Sequence, residues 1–168
     1  MPRYRGERWY DVAQICRDGH VLNDRSTALP EHNQRRCDKC GSEVIDACPQ
    51  CNTTIRGHFH NPNSRYVDHT IDAPAFCHEC GKPYPWTESK LDAARDLVEQ
   101  LEIFDIPEKT LLNSSVEELL RDTPKSPPAV VRFKMLLAKA SPLAQEAFKQ
   151  ILFNVLSEPI RRIVFPVG

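Results

Sequence analysis

Two spacings of apolar residues divide the chain. From residue 87 onward apolar positions return every third or fourth residue, the period of a helix that buries one face. Leu91, Ala94, Val98 and Leu101 form the first such stripe, with Asp92, Arg95, Asp96 and Glu99 turned to water. Thr87 is placed to cap this helix, with Glu88 in its first turn, and Ile106-Pro107 breaks it. Ser114-Ser115-Val116-Glu117 has the form of a capping box and opens a short helix through Leu119-Leu120, which Thr123-Pro124 ends. Pro127 and Pro128 start a third helix with Ala129, Phe133, Leu136, Leu137 and Ala140 on one face. Ser141-Pro142 starts a fourth, with Ala144, Phe148, Ile151, Leu152 and Val155 aligned, until Pro159 bends or stops it.

Ahead of residue 86 the apolar runs are short and alternating. Trp9 to Ile15 suits a strand, Val21-Leu22 returns from it as a hairpin, and Val44-Ile45, Thr53-Thr54-Ile55 and Arg65-Tyr66-Val67 are further β-rich pieces. The expected fold is a small α+β protein. A loop-rich module over residues 1–86 precedes a bundle of about four helices over 87–168.

Composition narrows the class. The 168 residues are 40% hydrophobic, and no apolar run approaches the 18 or more residues of a membrane-spanning helix. The start, Met1-Pro2-Arg3-Tyr4-Arg5, lacks the apolar core of a secretory signal, so a cytoplasmic chain is expected. The formal net charge of −1 gives no global case for nucleic acid. Locally the charge is uneven: residues 87–125 carry a net −5 and residues 126–168 a net +4. The simplest consequence is that the acidic and basic helical segments fold against one another.

All seven cysteines lie between residues 16 and 80. In a chain without an export signal, thiols stay reduced, and clustered cysteines point to metal. Cys37-Asp38-Lys39-Cys40, Cys48-Pro49-Gln50-Cys51 and Cys77-His78-Glu79-Cys80 share a two-residue spacing that lets two thiolates of one tight turn reach one ion. Such a turn needs a residue tolerant of positive φ after the second Cys, and Gly41, Asn52 and Gly81 occupy that place. Cys16 and His20 form a fourth couple, with Gly19 between them. Eight ligands make two complete zinc sites: Cys16, His20, Cys37 and Cys40, then Cys48, Cys51, Cys77 and Cys80. Both are closed, the pattern of structural rather than catalytic zinc. The module so described is a double zinc ribbon whose metal supplies most of its folding energy, because it has few large apolar residues.

Alternatives stay open at this level. The same ligands can pair in a cross-braced order, as in a ubiquitin-ligase-like module, and composition does not separate zinc from iron. Cys16 can be a buried apolar residue with His20 on the surface, and a Cys-x-x-Cys pair can be redox-active. The 52–76 interval, with Arg56, His58, Phe59, His60, Arg65 and Tyr66, is either a surface hairpin or a loop that contacts nucleic acid. His58 and His60 share a face of an extended segment, yet no carboxylate at suitable spacing joins them and His69 as a catalytic metal site. Trp9, Tyr10, Tyr84 and Trp86 either pack on the metal turns or form a partner patch. The run Ile160-Arg161-Arg162-Ile163-Val164-Phe165 either docks on the acidic first helix or lets residues 157–168 lie on an anionic membrane.

With zinc bound, seven thiolates and two ions move the neutral amino-terminal module to about −3, a poor charge for holding phosphate backbones. No nucleophile stands with a base, no glycine loop suits phosphate, and no acids pair in a pocket pattern. The expected role is a non-enzymatic adaptor with a protein partner.

Trp9-Tyr10-Asp11-Val12-Ala13-Gln14, the Cys16 to Val21 turn, Cys48-Pro49-Gln50-Cys51 with Ile55-Arg56-Gly57, and Cys77 through Thr87 resemble a family of small bacterial zinc-ribbon proteins classed as a domain of unknown function. Arg121-Asp122-Thr123-Pro124 and Arg132-Phe133-Lys134 extend the likeness over most of the chain. The resemblance implies the same eight ligands and a bacterial cytoplasmic setting, and it implies no activity.

Overall fold

The computed structural model describes residues 8–63 and 70–166. The chain divides into two compact units, Met1–Trp86 and Thr87–Gly168. The short strand expected at Arg65-Tyr66-Val67, and His69 with it, lie outside the described residues.

In the first unit, the alternating stretch expected as one strand is two: β1 (Trp9–Val12) and β2 (Gln14–Cys16). Ala13 separates them because it is fully buried and gives its N–H to the Ile55 carbonyl at 2.9 Å, so the chain changes sheets there. β2 is the centre of a three-stranded antiparallel sheet, with β3 (Val21–Asn23) on one side and β4 (Val44–Ile45) on the other. Cys16 pairs with Val44 in that sheet. β1 pairs antiparallel with β5 (Arg56–His60), Trp9 opposite His60 and Tyr10 opposite Phe59. The interval after Cys51 is thus partly a strand, and Thr53–Ile55 contributes only an isolated bridge between Thr54 and Ala47.

Gly57 explains how β5 enters this corner. A Cβ there would lie 2.2 Å from the Asp24 carbonyl oxygen and 3.0 Å from the Ala13 nitrogen, so only glycine admits the approach. The small core joins Ala13, Ile15 and Ile55 to Cys48, Cys77, Tyr84 and Trp86. Tyr84 and Trp86 stack at 4.6 Å and are almost fully buried, which assigns these two aromatics to packing.

The second unit contains five helices rather than about four: α1 (Pro85–Gln100), α2 (Ile106–Leu120), α3 (Ser126–Leu137), α4 (Pro142–Leu152) and α5 (Glu158–Val164). α1 starts at Pro85, so Thr87 is inside its first turn and buried rather than its cap. α2 also starts earlier than expected. Asp105 caps it, and Glu108 completes the capping box, while Pro107 sits in the first turn where its missing N–H is not needed. Ser114 and Ser115 are interior to α2, and their hydroxyls donate back to the Leu111 carbonyl at 3.0 and 2.7 Å. Pro159 begins α5 for the same reason that Pro107 begins α2.

Phe133 on α3 is fully buried and meets Phe148 and Phe165 edge-on, with ring centroids at 5.9 and 6.3 Å. Ile160, Val164 and Phe165 are buried, and α5 packs on α3 instead of the acidic first helix. Most of the apolar side of residues 157–166 is therefore spent inside this unit, leaving Ile163 exposed. The acidic and basic segments do pair: Arg132 holds Glu118 at 2.5 Å, and Lys139 pairs with Glu108. No helix among the described residues is long and apolar enough to cross a membrane.

Candidate metal centre

Four short turns present the candidate ligands. In the turn of Cys37–Cys40, the Gly41 N–H donates to the Cys37 carbonyl at 2.8 Å, and the Cys37 N–H donates to the Ser42 carbonyl at 2.9 Å. The turn at Cys48 repeats this with Asn52 and Thr53, and the turn at Cys77 repeats it with Gly81 and Lys82. Gly41, Asn52 and Gly81 stand at φ of +76°, +59° and +67°, the left-handed region expected of them. The Cys16–His20 turn is closed by its own pair of bonds, Gly19 to Cys16 and Cys16 to His20. Three unrelated stretches thus fold into one device because each has the same need, two thiols on one side of a reversal.

The ligand atoms gather in chain order. Cys16, His20, Cys37 and Cys40 lie within 4.8 Å of one another, and so do Cys48, Cys51, Cys77 and Cys80. This pairing is sequential, so the cross-braced arrangement of a ubiquitin-ligase-like module is not the one adopted. It also draws Cys16 and His20 into the first set, which removes the reading of an isolated buried thiol.

The separations within each set identify the kind of ion that fits. A tetrahedral ion with Zn–S of about 2.3 Å places sulfurs about 3.8 Å apart, and with Zn–N of about 2.05 Å places sulfur and nitrogen about 3.6 Å apart. Cys16 and Cys40 sulfurs are 3.7 Å apart, Cys48 and Cys80 3.8 Å, and Cys51 and Cys77 3.7 Å. His20 presents Nδ1 at 3.5 Å from Cys16 Sγ and 3.6 Å from Cys37 Sγ. These separations match edges of the tetrahedron that one such ion requires. They are too long for a disulfide, whose sulfurs stand about 2.05 Å apart, and they leave no room for a cluster of several irons and sulfides. The donor set therefore fits a single thiophilic ion at each site.

Local electrostatics favour that occupancy. Backbone N–H groups point at two sulfurs, His20 to Cys16 at 3.3 Å and Glu79 to Cys77 at 3.5 Å. Burial opposes ionisation of Cys77, yet the N–H groups of Cys80 and Glu79 and its thiol neighbours bring it down to about 6. Cys16 is pushed up to about 11, first by burial and then by the thiols of Cys40 and Cys37, against the N–H groups that favour its anion. Cys80 reaches about 11 although the Lys82 N–H favours its thiolate, because burial and three neighbouring sulfurs outweigh it. Three or four thiolates this close repel, and a divalent cation removes the conflict.

The two sites differ in surroundings. Cys48 and Cys77 belong to the core with Ile55, Tyr84 and Trp86, and Tyr84 is stacked on Trp86 immediately beyond the last turn. The first site is tied by polar links instead: Arg17 to Glu43 at 2.8 Å and a short Ser42 to Asp18 bond.

Outside both sites, Asp11 is a residue that sequence reasoning passed over. Its side chain is fully buried and accepts from Val12, Thr27 and Ala28 N–H groups and from His60 Nε2 at 3.0 Å. The partner His60 is 49 residues away, and no local spacing signals it. On the other face of the same sheet, Tyr10 and Phe59 are half exposed, 4.7 Å apart, with the Arg56 guanidinium 4.9 Å over the Tyr10 ring.

No curated protein and no solved structure matches the chain. The model of one family matches residues 9–164, a span that holds all eight candidate ligands. With that span covering nearly the whole sequence, the chain belongs to the bacterial family described as uncharacterized protein conserved in bacteria (DUF2321).

Proposed function

We propose that this chain is a non-enzymatic adaptor whose amino-terminal unit is shaped by two structural zinc ions into a double zinc ribbon. One observation carries the reading: each donor set brings four ligand atoms within 4.8 Å of one another, and the separations of 3.5–3.8 Å found within them suit a tetrahedral ion. An ion so held has no open position for substrate or water, and its contribution is to cross-link distant parts of the chain. Cys16, His20, Cys37 and Cys40 hold one ion, and Cys48, Cys51, Cys77 and Cys80 hold the other. Zinc suits a mixed thiolate–imidazole set and asks for no redox partner. Seven uncrosslinked cysteines at tetrahedral spacing fit a reducing, cytoplasmic compartment. The surface offered to a protein partner is the Tyr10, Arg56 and Phe59 patch, whose residue types dominate binding energy at protein interfaces.

Metal analysis of gently purified protein tests the first half, with two equivalents of zinc per chain expected. Far fewer, with the amino-terminal unit still folded, overturns it. For the second half, one protein should co-purify from the native host, and Tyr10→Ala and Phe59→Ala should each release it while zinc content stays at two. Retention of the partner by both variants overturns the assigned surface.

A second reading, nucleic acid held by the 52–76 region, has one observation in its favour. Tyr10, Arg56, Pro74, Phe76 and His78 border a hollow of about 210 Å³, and an aromatic ring beside a guanidinium suits a stacked base. Net charge of the metal-bound unit opposes it. Gel shifts at graded salt decide, since phosphate contacts weaken steeply with salt and absence of binding even at low salt removes this reading.

A further inference from the structure

Among the described residues of the first unit, His58 and His60 are a pair of ligating side chains that the two closed sites leave unused. Both lie on β5, and their ring centroids are 5.0 Å apart with planes at 79°. An imidazole bound to zinc keeps its centroid about 3.2 Å from the ion, so two rings on one ion at 90–109° have centroids about 4.5–5.2 Å apart. The observed separation falls inside that interval.

The chemistry of His60 adds the second argument. Its Nε2 is 3.0 Å from Asp11, whose buried carboxylate already accepts three backbone N–H groups and has only acceptor capacity left. Nε2 must therefore carry the proton, and in the neutral ring the lone pair is on Nδ1. Trp9 stacks on the ring at 4.2 Å and holds its plane. A buried carboxylate that fixes one ring nitrogen and leaves the lone pair on the other is the usual outer support of a metal-binding histidine. The carboxylate that the spacing of His58 and His60 lacked comes from β1, across the sheet.

We propose that His58 and His60 bind a third divalent ion of the zinc, cobalt or nickel class, with Nδ1 of His60 as a ligand and Asp11 orienting that ring from behind. Two protein nitrogens leave coordination positions to water, so this ion exchanges readily where the other two do not. The proposal stands apart from the adaptor reading, since neither histidine belongs to a closed set.

The test takes tag-free, full-length protein carrying two tightly held zinc ions and titrates it with further Zn²⁺ by calorimetry, with the histidine rings followed by NMR. One additional equivalent should bind and shift the His58 and His60 ring resonances. His58→Ala and His60→Ala should each weaken that step at least tenfold while keeping both tight ions. Asp11→Asn should weaken it about 10–100-fold, the usual effect of removing such an outer partner. No additional equivalent, or one that survives both histidine variants, overturns the site. If Asp11→Asn loses its tight zinc through misfolding, His58→Ala, which leaves the Asp11–His60 hydrogen bond in place, decides alone.

Discussion

Gly41 and Gly57 are both glycines for conformational reasons, and the reasons predict different costs. Gly41 stands at φ +76° with open space around its missing Cβ. Alanine there meets only backbone strain, about 1–2 kcal/mol for an L-residue in the left-handed region. At Gly57 the added carbon collides with backbone, 2.2 Å from the Asp24 oxygen, and β5 must move off β1 and the Ala13 corner. Thermal melts of the zinc-loaded chain should show Gly41→Ala mildly destabilised, Gly41→Asn milder still, and Gly57→Ala worst of the three. A Gly57→Ala melt equal to that of Gly41→Ala would contradict the close approach. The metal turns were legible at this scale, since ligand spacing and the positive-φ residue beside it are both local. Asp11 was not, because its partners at Thr27 and His60 become neighbours only when the strands pair.

At the scale of elements, α2 illustrates why boundaries escape a reading by pattern. Ile106-Pro107 looks like a break, and it is one, but the same proline opens the next helix because its first turn needs no N–H there. Glu108 serves two purposes: it accepts from the Asp105 N–H at 3.3 Å to close the capping box, and it pairs with Lys139 just past the end of α3. Asp105→Ala should cost about 0.5–2 kcal/mol, the usual range for a lost cap, seen as an earlier loss of helical circular dichroism. The Lys139 side chain, followed by the Asp105 N–H, holds the Glu108 carboxyl below its ordinary value. A depressed carboxyl stabilises the fold fully above the unfolded value of about 4.3, and that stabilisation disappears as pH falls through the lower folded value. Glu108→Gln preserves the capping box and loses the ion pair. Its helical signal should therefore melt earlier than the native chain's at pH 7, and the gap should close in acid. A gap unchanged at pH 2–3 would mean that the ion pair contributes nothing.

For the whole molecule, the two units derive their stability from different sources. The first has a core of a few side chains around Ile15, Ile55, Tyr84 and Trp86, with two cysteine sulfurs inside it. On the proposed reading, metal coordination supplies what that core lacks. Cys48→Ser or Cys77→Ser leaves the second site one ligand short in the middle of this core. NMR should then show collapsed dispersion for residues 8–63 while the helical signals persist. Native dispersion in either variant would contradict a metal-dependent fold. The second unit depends on apolar packing, and Phe133, buried between Phe148 and Phe165, is its most exacting position. Phe133→Ala should destabilise it by about 3–5 kcal/mol, read as a lower midpoint of the helical transition with zinc content unchanged.

By itself the sequence determined what short-range chemistry dictates: the eight candidate ligands, the residues that let their turns reverse, the helical face of the second half, and the opposite charges of its acidic and basic segments. Each of these is a property of neighbours along the chain, where ligand spacing and helical period act directly. Tertiary structure alone decided which couples of ligands share a site, that β1 and β2 part company at Ala13, that α5 covers α3, and that Asp11 stands behind His60. Those outcomes depend on which surfaces exclude water together and on which buried polar atoms can find partners, and residues dozens of positions apart settle both.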